Sequence, residues 1–345
     1  MKKKVLAAMS GGVDSSVAAY ILKKQGYSIE AVTMCFGVDE SSDENNIKDA
    51  SRVCSALEIK HKSVNFSREL EEKVIIPFIN EYKAGRTPNP CVICNRDIKF
   101  GLLLEYARKS GFDLIATGHY AAIVKKDGSL FISKPKDEKK DQTYFLYGIR
   151  REYLDYVIFP LCESVKSEVI KIAGEQPWGL SRRPQSQDIC FIKDRDYRNF
   201  LLNRTGPVKP GKIIDAAGNI IGEHKGSLYY TIGQREGLGI GGGKPYYVVD
   251  IDVEKNVLVA GREEDLVSRV LIADSLNLFT ERLPRKCKAK IRYAHKEADC
   301  NISLGDNVLH VEFDGLQRAV TPGQSIVLYD NDIVIGGGII RDVIR

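Results

Sequence analysis

Short apolar runs alternate with longer amphipathic segments in the N-terminal part of the chain. The longer segments carry apolar residues at helical spacing and predict helices near 15–25, 46–58, 68–83 and 96–109. The short runs predict β-strands at 5–9, 29–34, 62–66 and 114–117. Strands that alternate with helices are typical of a parallel sheet with helices on both faces. We therefore predict an α/β domain here, with a polar loop over residues 39–46.

The C-terminal part has a different pattern, in which turn residues separate short β-branched runs. Residues 248–251 and 257–260 predict a hairpin. Further runs predict the successive strands of a small barrel at 288–293, 308–313, 325–329 and 333–340. The 345 residues exceed what one core usually serves. We expect three domains: an α/β domain at 1–204, a β-rich domain at 205–272 and a barrel-like domain at 273–345.

A glycine turn joins the first predicted strand to the first predicted helix. Its sequence is Ser10-Gly11-Gly12-Val13-Asp14-Ser15-Ser16. Glycine lets the backbone approach a ligand, and a helix N-terminus offers N–H groups and partial positive charge to a phosphate. The loop lacks the lysine of a Walker loop and the three spaced glycines of a dinucleotide site. It resembles the pyrophosphate loop of ATP pyrophosphatases, which cleave ATP to AMP and pyrophosphate.

The composition bears on the compartment and on the partners. The 8 cysteines are scattered rather than spaced like a secreted disulfide framework, so we expect reduced thiols and a cytoplasmic protein. No window is long and apolar enough to span a bilayer, and we expect no membrane partner. A net charge of +5 is compatible with a nucleic-acid partner without requiring one.

Two cysteines stand close to the start of a predicted helix. Asn95 is a good helix N-cap and Gly111 suits the position after the helix end, which puts Cys94 at the helix N-terminus. The positive electrostatic field of a helix N-terminus, with Arg96 nearby, is expected to stabilise a thiolate at Cys94. Cys91 and Cys94 also form a CxxC pair. A zinc site would need a second pair, while a thioredoxin-like motif and inert thiols stay open as alternatives.

The other six cysteines have less context. Cys190 lies in a short apolar run, where a buried structural thiol is the common outcome. The same structural interpretation applies to Cys35, Cys54, Cys162, Cys287 and Cys300.

A series of motifs, in order along the chain, carries a resemblance to a known family. The motifs are the phosphate loop, Thr87-Pro88-Asn89-Pro90, Cys94-Asn95, Ala116-Thr117-Gly118-His119-Tyr120, Lys140-Asp141-Gln142-Thr143-Tyr144-Phe145-Leu146, Cys190-Phe191-Ile192, Tyr230-Thr231-Ile232-Gly233-Gln234-Arg235-Glu236-Gly237-Leu238-Gly239 and Ala319-Val320-Thr321-Pro322-Gly323-Gln324. Together they resemble the bacterial tRNA-specific 2-thiouridylases, which are sulfurtransferases. The resemblance implies an adenine-nucleotide α-hydrolase-like N-terminal fold and adenylation of the C2 oxygen of uridine 34 in tRNA. Sulfur then replaces that oxygen, giving 2-thiouridine, AMP and pyrophosphate.

The same resemblance implies which residues bind the cofactor ATP. They are Ala8, Met9, Ser10, Gly11, Gly12, Val13, Asp14, Ser15, Met34 and Gly118. Mg²⁺ accompanies ATP near Asp14, and no permanent metal is implied.

For sulfur transfer, the resemblance implies two thiols. Cys190 carries sulfur as a persulfide, and Cys94 is the nucleophile that frees it, leaving a Cys94–Cys190 disulfide that a reductant must reset. In an alternative path the persulfide attacks C2 directly. Either path predicts a loop around Cys190 that moves, because two sulfurs bond only when their Cα atoms are about 4.4–6.8 Å apart. The sulfur donor is a cysteine desulfurase or a sulfur-relay protein.

The resemblance also assigns contacts to the tRNA. The target base meets Asn89, Pro90 and Cys91, and the tRNA meets His119, Lys140, Asp141, Gln142, Arg292, Tyr293 and Gln324. On residue type alone, residues 140–142, Arg292 with Tyr293, and Gln324 are ordinary surface features, and a structural role at a strand end is the alternative for His119. Many family members have Asp in place of Cys91, and residues 193–195 lack a glycine that is often found there. The role of Cys91 and the local shape of the chain at residues 193–195 stay open.

Two other functions remain open at this point. Another ATP pyrophosphatase, such as an argininosuccinate- or GMP-synthase-like ligase, would explain the loop but not the two thiols. A non-catalytic RNA-binding protein would explain the β domains but would leave the loop unused.

Overall fold

The computed structural model describes residues 2–180, 189–192, 196–241 and 243–344. Three sheets organise these residues, with five, four and eight strands. Within the described ranges, no helix combines the length and the apolar character that crossing a bilayer needs.

Helices and strands alternate in the first part of the chain, and strands dominate afterwards. The strands are β1 (Lys4–Ala8), β2 (Ser28–Cys35), β3 (Lys60–Asn65), β4 (Leu114–Ala116), β5 (Ala122–Lys126), β6 (Ser129–Ser133), β7 (Val157–Ile158), β8 (Gly211–Ile214), β9 (Ile220–His224), β10 (Tyr247–Asp252), β11 (Val257–Gly261), β12 (Val267–Leu278), β13 (Lys286–Lys290), β14 (Ala298–Gly305), β15 (Val308–Arg318), β16 (Ser325–Asp330) and β17 (Ile333–Ile344). The α-helices are α1 (Val13–Lys24), α2 (Glu40–Ala56), α3 (Ser67–Leu70), α4 (Ile76–Lys83), α5 (Pro90–Ile93), α6 (Leu103–Lys109), α7 (Thr143–Leu146), α8 (Lys166–Gly174) and α9 (Tyr197–Thr205). Two π-helical segments, Glu71–Ile75 and Cys94–Leu102, join α3 to α4 and α5 to α6 as continuous helices.

The five-stranded sheet has the order β3-β2-β1-β4-β7, and every pair in it is parallel. Successive residues along β1 bury on opposite faces: Leu6 and Ala8 join one core cluster, whereas Ala7 and the following Met9 join another. A parallel strand covered on both faces needs apolar residues at every position, which explains the unbroken apolar run. The predicted α/β fold is confirmed.

The predicted loop over residues 39–46 is wrong, because α2 begins at Glu40. The Asp43 carboxylate accepts hydrogen bonds from the backbone N–H groups of Phe36 at 3.0 Å and Gly37 at 2.8 Å. Glu40 and Asp43 also bring negative charge to the first helical turn, where the helix dipole favours it. The acidic composition that suggested a loop therefore stabilises a helix start.

The helix predicted from residue 96 begins at Pro90, with Asn89 as its N-cap. Proline is favoured at the first helical position because its missing N–H would have no intrahelical partner there. Asn95 therefore lies inside the helix, and the prediction that it caps the helix is wrong. The predicted end is confirmed, since α6 stops two residues before Gly111, which has φ +78°.

The two strand-rich parts follow the predicted patterns. Strands β10 and β11 form the predicted antiparallel hairpin in a sheet of order β10-β11-β8-β9. Strands β12-β15-β14-β13-β16-β17 are neighbours in that order, and β12 also pairs with β17, so six strands close into the predicted barrel. The hairpin β5–β6 of the N-terminal part extends this sheet through a pairing of Ser133 with Ile333.

Buried hydrogen bonds fasten the barrel to the α/β part. The Tyr144 hydroxyl donates to the Ser325 carbonyl at 2.9 Å. The Tyr147 hydroxyl donates to Ser325 Oγ at 3.1 Å and to the Gly338 carbonyl at 3.2 Å. In the other direction, the Asn277 amide donates to the Tyr147 carbonyl at 2.6 Å. The barrel is thus held against the α/β part by specific polar contacts.

Candidate functional site

The phosphate loop holds its own shape. The Ser10 N–H donates to Ser15 Oγ at 3.1 Å. The hydroxyls of Ser15 and Ser16 donate to the Gly12 carbonyl at 3.1 and 2.8 Å. Gly11 has φ +70°, which favours glycine. The hydroxyls of Ser15 and Ser16 are therefore used within the loop, and the backbone N–H groups at the start of α1 are the donors suited to a phosphate.

The end of β4 lies directly against this loop. A Cβ built on Gly118 would stand 2.6 Å from Ser15 N, so only glycine permits this approach. On the other side, the Met9 N–H donates to the Val32 carbonyl at 2.8 Å, which ties the loop entrance to β2, and Met34 lies two residues further along that strand. Ala8 and Met9 are buried at the end of β1. The nucleotide residues predicted on three strands thus meet at one edge of the sheet.

Asp14, in the first turn of α1, carries an ion pair that the sequence did not indicate. Lys166 Nζ donates to Asp14 Oδ1 at 2.6 Å, and the Tyr120 hydroxyl donates to the same oxygen at 2.8 Å. Burial and the Asp14 charge raise the pKa of Tyr120, which keeps its hydroxyl protonated. Lys166 begins α8 and lies 152 residues from Asp14 in the chain, so no local pattern could have found it.

Cys94 is buried, and burial raises the pKa of its thiol to about 12. The expectation of a stabilised thiolate at a helix N-terminus is wrong for this structure. The helix begins at Pro90, so Cys94 lies in its second turn. The Arg96 guanidinium is engaged by both carboxylate oxygens of Asp97, each at 2.8 Å.

Three thiols share one neighbourhood around Lys99. Cys94 interacts electrostatically with both Cys91 and Cys190, and Cys91 also interacts with Cys190. Burial raises the pKa of the Cys91 and Cys94 thiols, while the Lys99 ammonium lowers the pKa of Cys91, Cys94 and Cys190. The structure therefore brings together the two cysteines that lie 96 residues apart in sequence, with Cys91 beside them.

Cys190 is exposed, in contrast to the buried thiol expected from residue type alone. The next residue anchors it: the Phe191 ring is buried and lies 5.4 Å from the Phe78 ring, edge to face. Residues 186–188 and 193–195 lie outside the described residues. The prediction that the Cys190 loop moves stays a prediction.

Gln324 reaches from the barrel to the segment predicted to meet the target base. Its Nε2 donates to the carbonyls of Thr87 at 2.9 Å and Pro88 at 3.3 Å. The Thr87 N–H donates to the Pro322 carbonyl at 2.9 Å, and the Asn89 side chain hydrogen-bonds to Tyr144. These contacts fix the backbone that leads into Pro90 and Cys91. Gln324 thus positions this segment through its own amide.

His119 connects the phosphate loop with the thiols. It follows Gly118, and Thr117 Oγ1 lies 2.7 Å from its Nδ1. Its ring lies 5.8 Å from the Phe100 ring. Burial and the Lys99 charge hold the pKa of His119 well below its ordinary value, so the ring is neutral. The Lys99 charge that acts on His119 also acts on the three thiols, so the residue after Gly118 and the thiol cluster lie near the same lysine.

The segment that contains Lys140, Asp141 and Gln142 is partly structural. Asp141 is buried and its carboxylate accepts hydrogen bonds from the Thr143 N–H at 2.9 Å and the Thr143 hydroxyl at 2.7 Å. Gln142 Oε1 accepts from the Tyr120 N–H at 2.8 Å. These two side chains shape the turn beside the site, and the half-buried Lys140 ends the 3₁₀ turn that precedes them.

Arg292 and Tyr293 differ in what they offer. Arg292 Nη2 donates to the Ile232 carbonyl at 3.1 Å and to Thr321 Oγ1, and burial lowers the pKa of this guanidinium. Tyr293 is 41% exposed and its ring lies 4.5 Å from the Phe145 ring. Tyr293 thus presents an aromatic surface, whereas Arg292 links the barrel to the segment between β9 and β10.

Three family models match consecutive parts of the chain. They are described as tRNA methyl transferase HUP domain at residues 3–194, tRNA methyl transferase PRC-barrel domain at 198–262 and Aminomethyltransferase beta-barrel domain at 268–340. Together they span nearly the whole chain.

Curated relatives match over the full length. The chain is 45% identical over 351 residues to tRNA-specific 2-thiouridylase MnmA 1 of Syntrophus aciditrophicus, with 100% of this chain and 94% of the relative covered. It is 46% identical over 357 residues to tRNA-specific 2-thiouridylase MnmA of Clostridium botulinum, with 99% of each covered. Among solved structures, the U34-tRNA thiolase NcsA from Methanococcus maripaludis gives a TM-score of 0.36 at 18% identity, over 59% of this chain and 64% of that one.

Proposed function

The chain belongs to the tRNA-specific 2-thiouridylase (MnmA) family, a family of tRNA sulfurtransferases, and we propose that it thiolates C2 of uridine 34 in tRNA. The observation that carries this proposal is identity of about 45% along the whole length of named relatives. The neighbouring phosphate loop and thiol cluster supply the two chemistries that the reaction needs.

The first step is adenylation, because the C2 oxygen of uracil is a poor leaving group. The backbone N–H groups at the start of α1 bind the phosphates of ATP, and Gly118 and Met34 flank the nucleotide. Both donors to Asp14 use Oδ1, and no described residue donates to Oδ2. A carboxylate oxygen suits Mg²⁺, so Asp14 would hold the ion, and the ion would supply positive charge beside the pyrophosphate.

The second step moves sulfur. The exposed Cys190 takes sulfur from a donor such as a cysteine desulfurase, giving a persulfide. The Cys94 thiolate attacks the inner sulfur, a Cys94–Cys190 disulfide forms, and hydrosulfide leaves. Hydrosulfide attacks C2, AMP departs with the former oxygen, and an external thiol reduces the disulfide. Direct attack by the persulfide is the alternative path and leads to the same product.

The remaining side chains fit recognition of a splayed anticodon base. His119 is neutral, so it suits a hydrogen bond to a base edge rather than an ion pair with a phosphate. The exposed Tyr293 ring suits stacking on a base. The segment at residues 87–90, fixed by Gln324, presents Cys91 and the thiol cluster to the base.

The test of this function uses the full chain with unmodified tRNA, ATP, Mg²⁺, cysteine and a cysteine desulfurase. We expect 2-thiouridine at position 34 together with AMP, measured by nucleoside mass spectrometry and by AMP release. AMP without a thiolated nucleoside would favour a ligase of the same fold. Binding of tRNA without ATP cleavage would favour a non-catalytic RNA-binding protein.

The thiols give a second test. We expect Cys94→Ser and Cys190→Ser each to abolish thiolation, because one removes the nucleophile and the other the sulfur carrier. Both are expected to bind tRNA like the wild type in a filter-binding assay. Cys162→Ser is the matched control, a thiol outside the cluster, and is expected to keep full activity. A fully active Cys190→Ser enzyme would remove that residue from the mechanism.

A further inference from the structure

Lys166 is buried deeper than the carboxylate that it pairs with. Only 10% of the Lys166 side chain is exposed, against 35% of the Asp14 side chain. The Lys166 backbone N–H donates to the Asp137 carboxylate at 2.8 Å, which fixes the start of α8. Lys166 is therefore held beside the phosphate loop by its backbone N–H and by its ammonium group.

This burial is not explained by the ion pair alone. Taking an ammonium out of water costs several kcal/mol, and a lysine that only neutralises a partly exposed aspartate can do so from solvent. An ammonium carries three N–H donors. Of the described residues, only Asp14 accepts a hydrogen bond from Lys166 Nζ. A buried cation with donor capacity left over, beside a loop suited to phosphate, indicates an anionic ligand.

The loop itself lacks the charge that such a ligand needs. In Walker loops, a lysine within the loop reaches the β- and γ-phosphates. Residues 10–16 contain no lysine or arginine, and the hydroxyls of Ser15 and Ser16 are used on the Gly12 carbonyl. The fold brings a lysine to the loop from α8 instead.

We propose that Lys166 binds the β- and γ-phosphates of ATP and stabilises the pyrophosphate that leaves. The proposal rests on the proposed function, since it requires ATP at this loop. A bond forms between the uridine C2 oxygen and the α-phosphorus. The bond from the α-phosphorus to the bridging oxygen breaks, and its electron pair stays on pyrophosphate. Lys166 stays protonated and donates to that leaving group, while Asp14 and Tyr120 hold the ammonium in position.

The direct test is the binding of inorganic pyrophosphate in EDTA, measured by calorimetry on the full chain. The Asp14→Asn variant keeps the ammonium and removes its counter-charge, so it is expected to bind pyrophosphate at least as tightly as wild type. The Asp14→Asn/Lys166→Met variant removes both charges and leaves none buried and unpaired. It is expected to bind about tenfold more weakly than Asp14→Asn, the loss of one charge-assisted hydrogen bond.

A second variant and a control complete the test. Lys166→Gln keeps a neutral donor toward Asp14 and is expected to show the same tenfold loss relative to wild type. Lys171→Met removes an exposed lysine from the same helix and is expected to leave binding unchanged. Pyrophosphate binding at undiminished affinity in either folded Lys166 variant, as judged by circular dichroism, overturns the proposal.

Different results would contradict the proposed function and the role of Lys166. A wild-type enzyme that neither binds ATP nor thiolates tRNA contradicts the proposed function. A wild-type enzyme that thiolates tRNA, with Lys166 variants that bind pyrophosphate normally, contradicts only the role of Lys166.

Discussion

At the residue scale, burial and one lysine control the thiols. Burial raises the pKa of Cys94 to about 12, so almost all of this thiol is protonated at neutral pH. The Lys99 ammonium lowers the pKa of Cys91, Cys94 and Cys190. Cys94 and Lys99 are five residues apart in a π-helical segment, which is the spacing of its i→i+5 hydrogen bonds. The wider turn therefore brings Lys99 closer to the side of the helix that carries Cys94 than an α-helical turn would.

A Lys99→Met substitution is expected to shift sulfur transfer to higher pH. Without the ammonium, the pKa of each thiol is higher. At a given pH below that pKa, a smaller fraction of each thiol is therefore present as thiolate. The pH–rate curve for thiolation, and the rate at which iodoacetamide labels Cys190, both move in the alkaline direction. Lys109→Met, at the end of the same helix, is the control. Unchanged curves in Lys99→Met would show that another group activates the sulfurs.

At the element scale, the approach of β4 to α1 sets the nucleotide site. The Cβ that any other residue would add at Gly118 meets Ser15 N at 2.6 Å and the Asp14 carbonyl carbon at 2.8 Å. Those backbone atoms belong to the helix start that we propose binds phosphate. The strand end and the helix start therefore cannot separate without loss of the site.

Gly118→Ala is expected to destabilise the protein by about 1–3 kcal/mol, because the methyl group overpacks this contact. It is also expected to abolish ATP binding, measured by calorimetry. Gly174→Ala at the end of α8 meets open space and is the matched control, with stability within about 1 kcal/mol of wild type. Normal ATP binding by Gly118→Ala would contradict the assignment of this contact to the nucleotide site.

At the scale of the whole molecule, the barrel acts as a support for the α/β part. Tyr144 and Tyr147 donate into the barrel, Asn277 donates back, and the hairpin β5–β6 continues the barrel sheet. Gly337 lies so close to the Tyr147 ring that a Cβ there would meet the ring at 2.7 Å. The barrel and the α/β part therefore fit closely against each other at this contact.

Tyr147→Phe is expected to lower the free energy of unfolding by about 1–3 kcal/mol, because it removes a buried donor from two acceptors. Urea unfolding followed by circular dichroism measures this change. Tyr153→Phe is the control, since among the described residues its hydroxyl accepts a hydrogen bond only from Arg150, at 3.4 Å and at the surface. Equal midpoints for the two variants would contradict the fastening role of Tyr147.

Features set by neighbouring residues could be predicted from the sequence, and features set by the fold could not. The loop around Gly11 and the end of the helix at Gly111 follow from local backbone rules. The Asp14–Lys166 pair joins residues 152 positions apart, and the pKa of Cys94 depends on side chains packed over it. The contact of Arg292 with the tRNA stays a prediction, and its hydrogen bond to the Ile232 carbonyl, 60 residues away in the chain, had no signal in the local sequence.

The hydrogen bonds between residues 87–88 and the Pro322–Gln324 turn have a consequence for biosynthesis. Gln324 is synthesised 236 residues after Pro88, so a nascent chain completes residues 87–90 long before they gain this support. We expect a premature stop just before Pro322 to yield a product that lacks both this support and the β16 and β17 residues that join the core of the α/β part. Translation itself thus delays competence until the turn emerges.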